Sequence, residues 1–382
     1  MRRLRTLSTR RLYGVLAVIA ALAATAGIAQ AALNGASAPE PKPLDRAVYD
    51  ALRAPDIAGV SARVKFTNGL LPGGSTVGSD TSPILEGAQG RVWVAGDGRF
   101  RLELQADGGD AQIVDDGKRI TVYDPASKTA YTLPSHVSAK HDRGEPPTLG
   151  DVRRALDRLA GSWTLSRAEP GTSGGRPSYT VRIAPKDDGG LLGAAELAWD
   201  AARGVPLRAA VYAQGDDQPT LELAADDISF GPIDDATLTP ALPAGTRVTE
   251  IDPPATDAAG RPVRVRGVEA VGRRLDFELS APAELAGLPR TGVRLVRMGS
   301  ENGALSTYGR GLGAIVVLQH KSDTPPKDDA LDLPQVNIDG ATGTELATPL
   351  GTVVTFTRGG VGYVVAGSVP PVAAENAARG LR

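Results

Sequence analysis

Between residues 90 and 131, apolar and polar positions alternate in short runs, and tight-turn residues interrupt them at nearly every point where an antiparallel meander would reverse. Val92-Trp93-Val94 leads into Ala95-Gly96-Asp97-Gly98, and Phe100, Leu102 and Leu104 then alternate with Arg99, Arg101 and Glu103. Successive side chains of a strand point to opposite sides of the pleat, so this period of two marks strands with one buried and one wet face. Asp107-Gly108-Gly109-Asp110 turns the chain into Ile113-Val114, and Asp115-Asp116-Gly117-Lys118 turns it into Ile120-Thr121-Val122-Tyr123. Asp124-Pro125-Ala126-Ser127 then leads to Thr129-Ala130-Tyr131-Thr132-Leu133, and these Asp, Gly and Pro residues supply the backbone conformations that reversals require. A sheet with one apolar face must cover it, which restricts the chain to folds that lay something over the meander.

Arg99-Phe100-Arg101, Ile113-Val114-Asp115-Asp116-Gly117-Lys118 and Val122-Tyr123-Asp124-Pro125, in that order, resemble the central meander of the LolA/LolB/RseB/LppX superfamily of bacterial envelope proteins. The resemblance implies an α+β fold: a curved, unclosed antiparallel β-sheet, or half-barrel, plugged by α-helices. In that superfamily the concave face holds acyl chains or a hydrophobic peptide segment, so the resemblance implies binding rather than catalysis and no cofactor.

The N-terminus reads as an export signal. Arg2, Arg3, Arg5, Arg10 and Arg11 precede an apolar run over residues 15–28, and Ala29-Gln30-Ala31 offers the small-residue cleavage pattern. Thr9-Arg10-Arg11-Leu12-Tyr13 partly resembles a twin-arginine signal. Residues 14–33 are also about long enough to span a bilayer, so residues 1–31 are expected to act as a signal peptide or as an N-terminal membrane anchor. On either reading the folded part is extracytoplasmic. No cysteine follows the apolar run, which excludes a lipoprotein anchor, and none occurs in all 382 residues, which excludes disulfides and thiolate metal sites. Removing the five signal arginines lowers Lys plus Arg from 42 to 37 against an unchanged 44 Asp plus Glu. An acidic body of this kind argues against nucleic acid as a partner.

The rest of the chain is expected to form two domains joined by a linker. Residues 32–43 are a small-residue and proline spacer, residues 44–252 the half-barrel domain, residues 253–262 a proline-bearing linker, and residues 263–382 a smaller α+β domain. Leu44, Ala47, Val48, Ala51 and Leu52 recur at helical spacing before Pro55, and Val60, Ala62, Val64 and Phe66 alternate as a strand. Residues 70–87 and 136–147 read as loops. Thr148 with Asp151 forms a capping-box pattern ahead of Leu149, Val152, Leu156 and Leu159, an apolar stripe opposite Arg153, Arg154 and Arg158. Strands are expected at 163–166, 179–183, 195–199, 207–213 and 221–230, and in the second domain at 271–279, 293–298, 305–308, 314–319, 352–357 and 361–366. Gly367-Ser368-Val369-Pro370-Pro371 and the alanine-rich helix after it resemble the end of the C-terminal domain of RseB/MucB-type sigma-factor regulators.

The candidate ligand-binding residues are the apolar strand positions Val60, Ala62, Val64, Phe66, Val92, Val94, Phe100, Leu102, Leu104, Ile113, Ile120 and Val122, with Leu149, Val152, Leu156 and Leu159 as the helical wall. Periodicity identifies this face but does not distinguish a filled interior from a hollow one. The implied ligand is a lipid acyl chain or a lipoprotein taken up at a membrane surface. A second reading, from the same resemblance, is a sensor that binds a membrane-anchored anti-sigma factor, and a third is a structural envelope protein with no ligand.

Several motifs point towards enzymes and lack the context enzymes need. Gly171-Thr172-Ser173-Gly174-Gly175 fits Gly-x-Ser-x-Gly, but it reads as a loop between Pro170 and Pro177 followed by a strand, where a nucleophile elbow needs a helix. Gly309-Arg310-Gly311-Leu312-Gly313 opens a strand and offers no helix N-terminus for a phosphate. His136 and His141, near Asp142 and Glu145, lack metal-site spacing. The pairs Asp187-Asp188, Asp216-Asp217, Asp226-Asp227 and Asp234-Asp235 read as solvated turns at strand ends rather than calcium ligands.

Overall fold

A computed structural model describes residues 37–71, 83, 87–105, 109–135, 147–186, 190–250, 265–298, 301–322 and 333–381. The export segment at 1–31, most of the loop expected at 70–87, the histidine-bearing stretch 136–146 and the linker at 253–262 lie outside the described residues. The chain divides into two compact units, the first ending at Glu250. Both are mostly β-sheet with few helices.

In the first unit, helix α1 (Leu44–Leu52) is followed by the meander β1 (Gly59–Asn68), β2 (Gly87–Ala95), β3 (Phe100–Gln105), β4 (Ala111–Asp115), β5 (Arg119–Asp124) and β6 (Thr129–Pro134). After helix α2 (Leu149–Leu159) come β7 (Trp163–Leu165), β8 (Glu169–Ser173), β9 (Arg176–Pro185), β10 (Leu192–Asp200), β11 (Pro206–Ala213), β12 (Leu221–Phe230) and β13 (Arg247–Glu250). All thirteen strands join one sheet in the order β13-β6-β5-β4-β3-β2-β1-β12-β11-β10-β9-β7, with β8 also on β9. Strand β1 therefore brings the two halves together by pairing with both β2 and β12. Its burial alternates as its sequence does: Val60, Ala62, Val64 and Phe66 are buried while Arg63 and Lys65 are exposed.

Three local features shape this sheet. Opposite Arg63 and Val64 the register of β12 jumps from Asp227 to Ala225, so Asp226 is an extra residue, a β-bulge, and Asp226-Asp227 lies inside a strand rather than in the expected turn. Glu169–Ser173 and Arg176–Pro185 form a hairpin where a loop was expected. Pro170 is tolerated because β8 is an edge strand, where a missing N–H faces no partner, and Pro177 stands one residue before the pairing of β9 with β10 begins at Ser178. The hairpin turn at Gly174 has φ +56°, and a Cβ there would lie 2.8 Å from the Ala225 carbonyl oxygen, so the turn folds closely over β12. Finally, β13 runs parallel to β6 and covers its edge. The segment leading to it crosses the sheet: Arg101 donates to the carbonyls of Thr237 and Thr239, and Leu238 between them is buried.

Helix α1 buries Ala47 and packs Leu44, Val48 and Ala51 on Tyr179, Val181 and Ile183 of β9, Leu197 and Trp199 of β10 and Ala209 of β11. Gly204, in the turn between β10 and β11, has φ +65°, and a Cβ there would lie 2.3 Å from the Ala51 carbonyl oxygen, so the turn abuts the end of this helix. The capping box of α2 forms as its sequence requires: the Thr148 hydroxyl accepts from the Asp151 N–H, and the Asp151 carboxylate accepts from the Thr148 N–H. Helix α2 packs against α1, and Arg153 binds Asp45 at 2.6 Å. The expectation of helices lying over the meander is thus met differently: α1 covers β9 to β11, and α2 rests on α1.

The second unit has helix α3 (Val268–Gly272), strands β14 (Glu284–Leu285), β15 (Leu288–Met298), β16 (Glu301–Tyr308), β17 (Ile315–Lys321), β18 (Gln335–Ile338), β19 (Ala341–Thr348), β20 (Gly351–Arg358) and β21 (Val361–Gly367), and helix α4 (Pro371–Arg379). The strands form one sheet ordered β14-β15-β16-β17-β21-β20-β19-β18. The strand expected at 271–279 is instead α3 and an irregular stretch. Val268, Val271 and Leu275 recur at helical spacing, and all three pack with Val293 and Ala304. The other core of the unit joins Ala374, Ala377 and Ala378 of α4 and Leu381 to Phe356 and Tyr363, whose rings stack at 4.6 Å.

Candidate functional site

Residues opposed in an antiparallel ladder share a face of the sheet, so the register locates every sequence-derived strand candidate. Val92, Val94 and Gly90 oppose Leu102, Phe100 and Leu104. Leu102 and Leu104 in turn oppose Ile113 and Ala111, Ile113 opposes Val122, and Asp115 opposes Ile120. Gly59 opposes Ala95, so by alternation Val60 falls on the side of Val94, together with Ala62, Val64 and Phe66. All twelve strand candidates therefore occupy one face. Ala62, Val64, Phe66, Leu102, Leu104 and Ala111 cluster there with Ala225 of β12, and Val92, Ile113, Leu223 and Ile228 pack around them.

The helical candidates are placed differently. Val152 is buried, Leu149, Leu156 and Leu159 are half-buried, and their helix packs on α1. The face also extends beyond the sequence-derived set. Tyr131 and Leu133 oppose Val122 and Ile120, Phe230 opposes Val60, and Leu223 opposes both Phe66 and Ala209. The alternation of each of these strands is visible in the sequence, but the pairing that joins their faces is not.

Burial along this face is uneven. Under α1, Tyr179, Trp199 and Ala209 are buried, and the residues nearest β1 are buried too. Across the meander, Val92, Val94, Phe100, Ile113, Ile120 and Val122 are only half-buried, and Tyr131 is 40% exposed. The apolar surface thus runs continuously from a helix-covered part to a part that the described residues leave incompletely covered.

The opposite face carries an ionic network beside a small apolar cluster of Ala194, Ala210 and Tyr212. The Glu196 carboxylate accepts from Arg182 and Arg208 at 2.8 Å each and from the Tyr212 hydroxyl at 2.7 Å. Arg208 also donates to the Tyr212 oxygen and to Glu222, which is fully buried and whose second carboxylate oxygen has no hydrogen-bond partner among the described residues. Burial acts to raise Glu196, but the donors from Arg208, Tyr212 and Arg182 outweigh it and hold the group below the usual carboxylate range. Burial dominates at Glu222 and pushes it above that range against the pull of Arg208. Around Asp200, burial is likewise outweighed by Arg176 and by the backbone N–H groups of Arg203 and Ala202, so the carboxyl is held low.

Residues 74–139, the window that contains β2 to β6, match a family model described as a predicted periplasmic protein (DUF2092). The chain is similar in structure to MucB in complex with MucA(peri), at 17% identity and a TM-score of 0.43, over 89% of this chain and 97% of that one. The Pseudomonas aeruginosa MucA/MucB complex gives the same identity and score, over 89% and 96%. A LolA superfamily protein from Nitrosomonas europaea is 14% identical with a TM-score of 0.23, over 52% of this chain and 98% of that one. No curated protein matches the sequence. Among the described residues no helix is long and apolar enough to cross a membrane.

Proposed function

We propose that this chain is an extracytoplasmic, non-catalytic binding protein that holds the acyl chains of a lipid or lipoprotein on the apolar face of its thirteen-stranded sheet. The observation that carries the reading is the run of half-buried Val92, Val94, Phe100, Ile113, Ile120 and Val122 on the same face as the packed Val64, Phe66, Leu102 and Leu104. Each methylene removed from water contributes about 0.8 kcal/mol, so part of one long chain suffices for useful affinity. Helices α1 and α2 act as the lid in this reading, with α1 seated on β9 to β11 and α2 resting on α1. Replacing Leu102 or Val64 by Glu sets a charge on the apolar wall, and lipid retained through purification from the native envelope, read by native mass spectrometry, should fall. Variants that fold normally and retain lipid like the parent refute the assignment.

One observation favours a second reading, a sensor that binds a membrane-anchored anti-sigma factor. The second unit, residues 263–382 in this proposal, has its own buried core around Phe356, Tyr363 and Val365, which a simple acyl-chain carrier does not require. Undiminished binding of such a factor after deletion of that unit would remove this support.

A further inference from the structure

At one end of the apolar face, two arginines converge on a single aromatic ring. The guanidinium of Arg203 lies 4.3 Å from the centroid of Phe230 and that of Arg176 lies 4.9 Å from it, both within cation–π range. Phe230 opposes Val60, so its ring marks the boundary where the apolar face ends. The local sequence builds this arrangement from two turns and a bulge. The β8–β9 hairpin delivers Arg176, the β10–β11 turn delivers Arg203, and the bulge at Asp226 sets which residues of β12 face inward.

The charges do not balance at this point. Asp200 is the carboxylate paired with Arg176, and it is 1% exposed and fully engaged: one oxygen accepts from Arg176 Nε and the other from the N–H groups of Ala202 and Arg203. Arg203 is exposed and forms no ion pair among the described residues. Arg176 uses only its Nε in that pair, which leaves its two terminal nitrogens as donors. Two like charges held on one ring repel each other, and an anion that accepts from their free donors offsets that repulsion. Stacking on Phe230 orients both groups in advance, so less side-chain freedom is lost when they bind.

We infer that Arg203 and Arg176, stacked on Phe230, form a site for the anionic headgroup, a phosphate or carboxylate, of a single amphiphile whose chain lies along the apolar face. The site rests on the acyl-binding function proposed above and assigns it a ligand class. Across the ladder from Phe230 the half-buried Val94, Phe100 and Ile120 follow on the same face, and five strand spacings of about 4.8 Å give a path of about 24 Å, the length of a long acyl chain running from the arginines.

The test titrates the purified full-length protein with two single-chain probes of equal acyl length, lysophosphatidic acid and an uncharged monoacylglycerol, each read by displacement of a fluorescent fatty acid. The anionic probe is expected to bind about tenfold more tightly, as befits charge-assisted hydrogen bonds. Arg203→Gln should abolish this preference without altering affinity for the neutral probe, because Arg203 is exposed and holds no structural ion pair among the described residues. Arg203→Lys should restore only part of it, since lysine keeps the charge but not the planar fork. Equal affinities for the two probes in the parent overturn the headgroup site while leaving acyl binding intact. Binding of neither probe overturns the underlying function and the site with it. Inorganic phosphate that displaces the anionic probe at equal concentration shows a free-anion site and overturns the lipid assignment.

Discussion

Replacing Arg208 by Met tests the ionic network on the face opposite the candidate site, because it removes one cation from between two carboxylates and preserves much of the side-chain volume. Glu196 keeps Arg182 and Tyr212, but Glu222 loses its hydrogen-bonded partner while remaining fully buried. Breaking a buried pair in this way costs about 3–5 kcal/mol. Glu222 has an escape, which is to take up a proton. From an ordinary carboxylate pKa near 4.3, that costs about 3.7 kcal/mol at pH 7 and about 1 kcal/mol at pH 5. The sign follows from the folded-state shifts. A carboxyl raised by burial, like Glu222, contributes stability below its unfolded pKa and loses it as pH rises through the folded value. A depressed one, like Glu196, contributes above its unfolded pKa and loses it as pH falls, and the variant has less of this to lose. Both effects shrink the deficit in acid. Urea unfolding of Arg208→Met should therefore show a loss of about 3–4 kcal/mol at pH 7 and about 2 kcal/mol less than that at pH 5. Trp93, Trp163 and Trp199, the three tryptophans of the chain, all lie in the first unit, so their fluorescence reports its unfolding. Adding Glu222→Gln should recover most of the loss at pH 7. A deficit below about 1 kcal/mol that is the same at both pH values would show that Glu222 is not buried against Arg208 alone.

Thr148→Ala removes the capping box of α2 and should cost about 1 kcal/mol, with faster amide exchange at Asp151 and Val152; unchanged exchange there would refute the cap. Gly204→Ala combines a left-handed backbone with a collision against the Ala51 carbonyl, and should destabilise the first unit by about 1–3 kcal/mol in urea unfolding. An unchanged midpoint would mean that the β10–β11 turn does not press on α1.

The meander and both helices of the first unit are legible in the sequence because their signals are local. Alternation in Phe100 to Leu104, the Asp-Gly turns and the Thr148–Asp151 box each act within a few residues. Part of what sequence reasoning missed depended on partners elsewhere in the chain, and part was local. Pro170 argues against a strand unless β8 is known to be an edge. The extra residue in β12 is visible only against the register of β1. The β18–β19 hairpin was available through Asp339-Gly340, a strong turn signal between short strands. The stretch at 271–279 is apolar enough for a strand, and only the spacing of Val268, Val271 and Leu275 reveals the helix. For the candidate site, alternation gives each strand its inward residues, but the coverage of the resulting face depends on where α1 docks, and its side chains carry no address for β9 to β11.

The bulge at Asp226 divides β12 into two phases. Before it, the odd-numbered residues Leu221, Leu223 and Ala225 face the apolar side, and after it the even-numbered Ile228 and Phe230 do. Flattening the bulge with Asp226 retained would turn Asp227 and Ser229 inward and Phe230 outward, whereas deleting Asp226 leaves a regular strand with Ile228 and Phe230 still on the apolar side. The chain thus tolerates length change very unevenly along this strand. At the bulge a single residue can be lost with the aromatic platform kept in place, whereas the same loss elsewhere in the strand turns the residues on one side of it to the wrong face.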